Sequence, residues 1–403
     1  MSDLHIDPYS APPPQAMTAA DLLGFDPFDP DFLREPYVVY RKLRERGSLV
    51  RTVGGLLVAT THEHCSTVLR DPRFGHGSDP LGKGDPTKPI ESFLLMDPPD
   101  HTRLRALVSR AFTPRMVERL RPRVEAIAER LIEELPDDAD LVSGFAYPLP
   151  VMVITEMLGV PPEDHERFSG WSETLARSLD PMLSSELVQE TERARAEFGD
   201  YFRELIALRR KAPGEDLLSA LTLVKELSEA ELVATCVLLL VAGHETTVNL
   251  IANGVLALAR HNATDYLVKY PDRGAAVVEE VLRYDPPVQL TLRYALEDAE
   301  LGGVPTPQGT AVLALVGAAN RDPAAFAEPD RFDLDRKPGR HLAFGLGIHF
   351  CLGATLARLE GEVALRALAR AAPGLTLAGP APPYKENLVL RGLASLQVRL
   401  AAS

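Results

Sequence analysis

One long helical pattern limits how this chain can fold. Ser228 and Glu231 form the capping-box signature of a helix N-terminus, and the residues from there to about Arg260 are largely apolar and lack proline. At a rise of about 1.5 Å per residue, the predicted helix is roughly 50 Å long and must cross the middle of a domain. Its apolar stretch from Leu232 to Gly243 is too short to span a membrane.

The middle of this helix carries polar residues inside an otherwise aliphatic sequence. Gly243, Thr246 and Thr247 weaken the backbone ladder, because a threonine hydroxyl can bond the carbonyl four residues back and bend the helix. We expect a groove for a small ligand there. Glu245 beside Thr246 provides an acid and a hydroxyl, the groups that proton transfer to such a ligand requires. The alternative is a bent core helix whose buried acid is paired elsewhere.

A second stretch, Phe344 to Gly353, places a cysteine among glycines at the start of an amphipathic helix. Cys351 would lie where the first helical turn offers unpaired backbone N–H groups, a setting that lowers the pKa of a thiol. Gly345 and Gly347 leave room for a flat macrocycle against the backbone. The alternative is a buried structural cysteine in a glycine turn.

The spacing Phe-Gly-x-Gly-x-His-x-Cys-x-Gly resembles the haem-binding signature of the cytochrome P450 family. The helix sequence Ala-Gly-His-Glu-Thr-Thr is similar to that family's Ala/Gly-Gly-x-Asp/Glu-Thr-Thr pattern. The resemblance implies haem b (iron protoporphyrin IX), with Cys351 as the axial ligand of the iron, O2 as co-substrate, and Glu245 and Thr246 in proton delivery. It also implies haem contacts from Phe344, Gly345, Gly353, Ala242 and Gly243.

Candidate ligands for the haem propionates come from separate parts of the chain. His101 and Arg105 lie four residues apart on one face of a predicted helix, where they either hold a carboxylate jointly or form a solvated polar face. The resemblance favours the carboxylate site and adds Arg293 and His349. We expect these four side chains to neutralise the propionates.

Glu280 and Arg283, three residues apart, resemble the Glu-x-x-Arg element of the family, although such pairs are also common on helix surfaces. In the family a third partner lies later in the chain, and Arg331 stands at the matching place. We expect Glu280, Arg283 and Arg331 to form a structural triad that fixes the loop presenting Cys351.

The remaining pattern predicts a mainly α-helical protein with a minor β region. Short β-prone runs at 48–51 and 56–60 indicate a hairpin. We expect residues 1–30 to form a loosely ordered arm and 31–403 a single cytochrome P450 domain. The resemblance places the haem between the long central helix and the helix that follows the cysteine loop.

Composition narrows the class of protein further. The net charge of −14 argues against a nucleic-acid binder. Three widely spaced cysteines make a disulfide framework improbable and fit a reducing cytoplasm. The polar, Pro-rich stretch from Met1 to Ala19 has no apolar signal core, so we expect no membrane anchor.

The implied reaction is monooxygenation, by hydroxylation or epoxidation, of a hydrophobic small molecule of the natural-product type. Electrons ultimately from NAD(P)H must arrive through another protein, because the chain contains no flavin or iron–sulfur segment. We expect a ferredoxin-type donor with its reductase, docking on a basic patch near Cys351 that includes Arg110 and Arg115.

Two alternatives to this function remain. A peroxide-driven haem oxygenase would need no reductase, although families of that type generally lack the acid–alcohol pair. A catalytically silent module of the same fold would only dock partners or sense a ligand. Such modules tend to lose the cysteine or the threonine, and this chain has both.

The expected substrate pocket is mostly apolar, which suits a polyketide, terpene, steroid or macrolide and selects none of them. The residues that we expect to line it are Phe93, Leu238, Val241, Ala242, Gln289, Leu290 and Leu393.

Overall fold

The long helix predicted from the capping box lies at the centre of the molecule. The structure is a computed structural model that describes residues 18–77, 92–177, 185–337 and 339–400. The helix runs from Glu229 to Arg260. The Ser228 hydroxyl accepts the backbone N–H of Glu231 at 3.2 Å, and the Glu231 carboxylate accepts the backbone N–H of Ser228 at 2.9 Å. The predicted start and end of this helix are confirmed.

Helices make up most of the described part of the chain. They are α1 (Ala19–Leu23), α2 (Pro30–Arg34), α3 (Pro36–Arg46), α4 (His62–Arg70), α5 (Asp100–Ala111), α6 (Pro114–Glu133), α7 (Pro148–Met157), α8 (His165–Arg177), α9 (Ser185–Lys211), α10 (Leu217–Thr222), α11 (Glu229–Arg260), α12 (Tyr266–Lys269), α13 (Gly274–Tyr284), α14 (Val316–Ala319) and α15 (Ala354–Ala371). A π-helical turn at Val142–Ala146 precedes α7, and a short 3-10 turn at Gly347–His349 precedes α15.

The strands are short and form two small sheets and a hairpin. They are β1 (Leu49–Arg51), β2 (Leu57–Ala59), β3 (Phe74–Gly75), β4 (Asp138–Asp140), β5 (Thr291–Ala295), β6 (Ala299–Leu301), β7 (Val304–Thr306), β8 (Ala311–Ala314), β9 (Thr376–Leu377) and β10 (Gln397–Arg399). The larger sheet has the order β1-β2-β8-β5-β3, the smaller has β4-β10-β9, and β6 pairs with β7. The predicted hairpin is confirmed as β1 and β2, and β2 also pairs in parallel with β8.

The core consists of one large and two smaller hydrophobic clusters. The large cluster surrounds α11, which packs against α7, α8, α9, α13 and α15. A second cluster joins the N-terminal helices to β2, β5 and β8, and a third lies between α4 and the larger sheet. Burial of apolar side chains against α11 therefore fixes the elements that carry the candidate site.

The expectation of a loosely ordered arm up to residue 30 is wrong for its second half. Thr18 and Asp21 form a capping box at the start of α1, and Leu23 and Phe25 are buried in the second cluster with Phe32. Aromatic packing thus ties this segment to the fold, with the rings of Phe25 and Phe32 stacked at 4.8 Å. Residues 1–17 lie outside the described residues.

Two loops are not fully described. The helices α8 and α9 are both amphipathic. The loop between them and most of the loop from Phe74 to Phe93 lie outside the described residues.

Among the described helices, α11 alone is long and apolar enough to cross a membrane by length and composition. Of its most apolar window, 67% is buried inside the protein, as in the core helix of a globular domain.

Candidate active site

Cys351 lies at the end of a turn that brings the chain back to Phe344. The backbone N–H of Cys351 donates to the carbonyl of Phe344 at 2.9 Å. Gly347, inside the turn, has a φ of 68°, and a Cβ at this position would clash with the carbonyl oxygen of Leu69 in α4. The cysteine loop therefore packs directly on α4, which only glycine allows.

The sulfur of Cys351 is placed at the first turn of α15. Backbone N–H groups of Gly353 and Ala354 hydrogen bond to it, and the guanidinium groups of Arg105 and Arg358 favour negative charge there. The other two cysteines, Cys65 and Cys236, are buried, whereas Cys351 is partly exposed. Of the three thiols, Cys351 thus has the surroundings of a metal ligand.

The expectation that this setting lowers the thiol pKa is wrong for the protein by itself. Although Cys351 as a whole residue is partly exposed, its sulfur is buried, and this burial raises the pKa of the thiol; the backbone donors and the two arginines only reduce that rise. A metal cation on the sulfur would replace the proton, because a coordinating thiol is deprotonated outright. The helix terminus and the two arginines therefore offset the effect of burial on the Cys351 thiol only in part.

Phe344 is held by a charged cluster. The Arg358 guanidinium lies 4.4 Å from the centre of the Phe344 ring and donates to Glu279 at 2.6 Å, and His341 contacts the same carboxylate at 3.2 Å. Although burial raises it, the hydrogen bonds from His341 and Arg358 bring the pKa of Glu279 down to about 2. The charged carboxylate therefore anchors Arg358, and through it Phe344, across a wide pH range.

Three of the four predicted propionate ligands meet. The rings of His101 and His349 are 4.2 Å apart, and the buried guanidinium of Arg293 lies close enough to act on His349. Arg105, the fourth, instead donates to the carbonyl of Phe350 in the cysteine loop. The joint site of His101 and Arg105 stays a prediction, because the Arg105 charge also acts on His101 while its guanidinium donates to the cysteine loop.

The polar atoms of this cluster fit a group with two carboxylates. Both ring nitrogens of His101 and the Nε2 atom of His349 are buried without a hydrogen-bond partner. Burial, with positive neighbours adding to it, lowers the pKa of His349 to about 3, and burial lowers the pKa of Arg293 to about 10. An anion among them would reverse both shifts, because opposite charge favours the protonated forms. The haem that the resemblance implies carries such anions.

The sequence did not point to His76 or Asp97. The ring of His76 lies edge-on to that of His349, 4.8 Å away, and the Asp97 carboxylate accepts the backbone N–H groups of His76 and Gly77 at 2.9 and 2.8 Å. Asp97 stands before Pro98 and Pro99 at the start of α5, which is a sequence signal for a helix start. The residues that it binds, His76 and Gly77, lie 21 and 20 residues earlier, so the sequence does not indicate this contact.

The centre of α11 has the hydrogen bonding that the sequence predicts. The Thr246 hydroxyl donates to the carbonyl of Ala242 at 2.7 Å, and the Thr247 hydroxyl donates to that of Gly243 at 2.9 Å. Gly243 faces Ile154 of α7. The helix continues through this point, so the hydroxyls supplement its ladder without ending it.

Glu245 is paired with a lysine far away in the sequence. The Lys385 ammonium donates to Oε1 of Glu245 at 2.6 Å, and the two side chains are 33% and 8% exposed. A buried acid with a remote partner was the alternative for this position. Glu245 adjoins Thr246 in the sequence, and the Lys385 side chain that holds its carboxylate reaches solvent.

Of the predicted structural triad, the structure brings Glu280 and Arg283 together and leaves the Arg331 side chain apart. Arg283 and Glu280, both buried, form a two-bond ion pair with both distances at 2.8 Å. The second cation on Glu280 is Arg336, at 3.1 Å, whereas the Arg331 side chain is exposed and contacts Glu328. Only the backbone carbonyl of Arg331 takes part, as an acceptor from Arg283.

This network reaches the cysteine loop through one amide. Arg283 donates to the carbonyl of Asn320 at 3.1 Å, and the Asn320 side-chain oxygen accepts the backbone N–H of Leu342 at 2.7 Å. Leu342 lies two residues before Phe344, so the ion pair supports the start of the loop.

The predicted pocket residues divide between two clusters. Phe93, Leu238, Val241 and Leu393 are buried in the large cluster, and Ala242, Phe344 and Leu352 pack against it, so these residues share one core with the cysteine loop. Gln289 and Leu290 do not belong there. Leu290 is in the N-terminal cluster, and the Gln289 amide donates to the Pro286 carbonyl and the Tyr37 hydroxyl.

The placement of Gln289 has a local cause. Its backbone N–H donates to the carbonyl of Val389 at 2.9 Å, and Val288 bridges to Leu390, before β5 begins at Thr291. This pairing with the C-terminal segment turns Gln289 and Leu290 toward the N-terminal helices. The sequence pattern alone did not reveal it.

Comparison with known proteins identifies the family. The family model described as Cytochrome P450 matches residues 171–265 and 275–371. The chain is 39% identical to the polyketide biosynthesis cytochrome P450 PksS of Bacillus subtilis, over 94% of this chain and 99% of that protein. It is 41% identical to the cytochrome P450 monooxygenase PikC of Streptomyces venezuelae, over 92% of each.

A solved structure agrees with the fold. Ligand-free CYP164A2 of Mycobacterium smegmatis superposes with a TM-score of 0.85 at 45% identity, covering 92% of this chain and 97% of that one. The predicted mainly α-helical cytochrome P450 fold is therefore confirmed. This chain belongs to the cytochrome P450 family, whose members are haem- and O2-dependent monooxygenases that take electrons from NAD(P)H through partner proteins and act on hydrophobic substrates.

Proposed function

We propose that Cys351 is the axial ligand of the haem iron and that the chain oxygenates a hydrophobic product of secondary metabolism. The observation that carries this proposal is the environment of the sulfur, which has two backbone N–H donors and two nearby guanidinium groups while the other two thiols are buried. Haem bound with a thiolate ligand would supply the activation of O2 and the insertion of one of its oxygen atoms into the substrate, while the other atom leaves as water.

The residues around the anion cluster would hold the cofactor. His101, His349 and Arg293 have the buried, cationic or neutral donors that two propionates need, and Arg105 and Phe344 support the cysteine loop beside them. Gly345, Gly353, Ala242 and Gly243 would leave the space that a flat macrocycle requires.

The central helix would provide the groups that accept and pass on protons. The Thr246 hydroxyl, now bonded to the Ala242 carbonyl, can accept or pass a proton at its Oγ1 atom, and Glu245 can bring one from the solvent side. The aliphatic residues of α11 around this point are buried, whereas Thr246 itself is partly exposed.

The proposed substrate class rests on the apolar residues that share one core with the cysteine loop and the centre of α11. Phe93, Leu238, Val241 and Leu393 are buried in the same cluster as the cysteine loop. A relative of similar length, PksS, is named for polyketide biosynthesis. A polyketide-type molecule is therefore our first choice, ahead of a terpene or steroid.

A ferredoxin-type donor with its reductase would supply the electrons in the cytoplasm. Ile348 and Phe350 of the cysteine loop are 49% and 40% exposed, which provides an apolar centre for a docking surface. Arg110 and Arg115 at the end of α5 and the start of α6 are also exposed. Acidic ferredoxins would be attracted by such a patch despite the overall negative charge.

The test is turnover of a macrolide, a terpene and a steroid with purified enzyme, ferredoxin, NAD(P)H-dependent reductase and isotopically labelled O2. We expect one labelled oxygen atom per product molecule. We also expect Arg110→Glu or Arg115→Glu to slow reduction of the enzyme by ferredoxin several-fold, because the long-range attraction between the two proteins is lost. Arg34→Glu, a charge reversal at an exposed side chain of α2, serves as the control and should leave the rate unchanged.

The two alternatives predict different results in the same experiment. Equal turnover with hydrogen peroxide alone would favour the peroxide-driven oxygenase. Binding of a compound without product under every condition would favour a silent module. Unchanged reduction rates in both arginine variants would contradict the docking patch.

A further inference from the structure

Helix α5 contacts the cysteine loop through one of its sides. The rings of His101 and His349 are 4.2 Å apart, and the Arg105 guanidinium donates to the carbonyl of Phe350. Arg103 lies half-way between His101 and Arg105 in the sequence. Because successive residues of a helix are rotated by about 100°, its side chain points to the opposite side of α5.

On that opposite side, Arg103 reaches the first turn of α11. Its guanidinium donates to Oε1 of Glu231, and the two side chains are 47% and 12% exposed. The other carboxylate oxygen of Glu231 accepts the backbone N–H and the hydroxyl of Ser228, both at 2.9 Å. Among the described residues, no other ion pair joins α5 to α11. The capping box of the central helix therefore also anchors α5.

The Glu231 carboxylate is a charged and fixed partner for Arg103. Although burial raises it, the hydrogen bonds from Arg103 and Ser228 bring the pKa of Glu231 below its usual value. Because one oxygen of this carboxylate is already held by the helix cap, less side-chain freedom is lost when Arg103 pairs with the other. The start of α5 itself has no side-chain cap, so its position depends on contacts of this kind.

Helix α5 thus connects the two structures between which the haem is expected to lie, the cysteine loop and α11. It carries His101 and Arg105, two of the predicted propionate ligands. We propose that Arg103 and Glu231 form a clasp at the edge of the haem site: the ion pair ties α5 to the start of α11, positions His101 and Arg105 for the propionates, and slows the release of haem. Arg103 is a positioning residue, because it acts through α5. The inference rests on the proposed haem site.

The first test is the transfer of haem from the loaded enzyme to an acceptor protein, in the unmodified chain and in Arg103→Met. We expect Arg103→Met to lose haem about two- to five-fold faster at low ionic strength, the range that a partly exposed ion pair supplies. At about 1 M salt, where the screening length is about 3 Å, this difference should shrink by more than half. Arg103→Lys should restore slow release at low salt, because an ammonium also donates to the carboxylate.

Arg123→Met is the matched control. Arg123 on α6 also joins two helices, since its Nε–H donates to Glu156 of α7 at 2.7 Å, but neither helix carries a predicted haem ligand. Its haem loss should equal that of the unmodified enzyme. In a Glu231→Gln background, Arg103→Met should cause no further acceleration, because the charge pair is already lost.

Two outcomes of the transfer experiment would overturn the proposal. One is equal haem loss in Arg103→Met and the unmodified enzyme at low salt. The other is an acceleration of the same size at low and high salt, which would report lost packing of the Arg103 stem and no ion pair.

The second test is hydrogen exchange of the resting enzyme, followed by mass spectrometry. The backbone amides of α5 should exchange several-fold faster in Arg103→Met, because local opening of this helix is no longer opposed by its bond to α11. They should be unchanged in Arg123→Met. Unchanged exchange of α5 in Arg103→Met would contradict the clasp. Absence of haem from the purified, unmodified protein would instead count against the proposed function, and the exchange of α5 would still test the clasp.

Discussion

Glu280 is a charged residue in a site that excludes nearly all water. It accepts two bonds from Arg283, a bifurcated bond from the Nε–H of Arg336 to both carboxylate oxygens at 3.3 and 3.1 Å, and the backbone N–H of Asp333 at 2.8 Å. Removal of one cation from such a cluster leaves a buried charge with too little compensation. The exposed pair of Arg331 and Glu328 carries no such cost, because water replaces the lost partner.

Arg336→Met should therefore lower the free energy of unfolding by about 3 kcal/mol. Arg331→Met should lower it by less than about 0.5 kcal/mol. Denaturant unfolding of both variants, with haem content measured alongside, checks the assignment. An equal loss of unfolding free energy in the two variants would contradict the role of Arg336 and favour the triad of Glu280, Arg283 and Arg331 predicted from the sequence.

Single residues were predictable where their signal is local. Cys351, Thr246 and the capping pair at Ser228 lie in short motifs whose spacing determines their surroundings, and the structure bears out the hydrogen bonds of Thr246 and Ser228. Arg336 and Lys385 were missed because each contacts a carboxylate more than 50 residues away along the chain. Nothing near them in the sequence indicates that contact.

At the scale of elements, the cysteine loop depends on its close approach to α4. Gly347 places its backbone against the carbonyl of Leu69, and its φ of 68° is unfavourable for any residue with a side chain. The position of the loop, and with it that of the Cys351 sulfur, therefore depends on both α4 and α15, which are nearly 300 residues apart in the sequence.

Gly347→Ala should destabilise the protein by about 3 kcal/mol, since the strain of a positive φ adds to overpacking against α4. It should also lose haem faster. Gly379→Ala is the matched control, with a φ of 74° and no atom within 4 Å of its new Cβ, and it should cost about 1 kcal/mol. Thermal unfolding and haem transfer to an acceptor protein measure both effects. Identical losses in the two variants would contradict the packing argument.

Elements with strong periodicity and caps were predictable, and the others were not. The central helix carries its own start signal and apolar length, so the prediction succeeded from residue 228 to residue 260. The short helix α1 was missed despite its capping box of Thr18 and Asp21, because 5 residues are too few to show an apolar period and Leu23 and Phe25 are stabilised by packing on distant residues such as Tyr40. The same long-range pairing turned Gln289 away from the expected pocket.

At the scale of the whole molecule, one hydrophobic cluster connects the two halves of the site, which are the cysteine loop and the centre of α11. It contains residues from Phe93 to Val398. Among them are side chains of α11 and of α15, the helix that follows the cysteine loop. The sequence supplied both halves as motifs, but the shared core and the anion cluster of His101, His349 and Arg293 required the three-dimensional fold. The pKa of Cys351 shows the same dependence, since burial outweighs the local helix effect.

The measurement that bears most directly on the central claim is the absorption spectrum of the dithionite-reduced protein with carbon monoxide, beside Cys351→Ala. A thiolate opposite carbon monoxide gives a Soret band at distinctly longer wavelength than a neutral or histidine ligand does. We expect this band in the unmodified protein and its absence from the variant, with haem still bound. A spectrum with only the shorter-wavelength band, or the same spectrum in both proteins, would contradict Cys351 as the axial ligand.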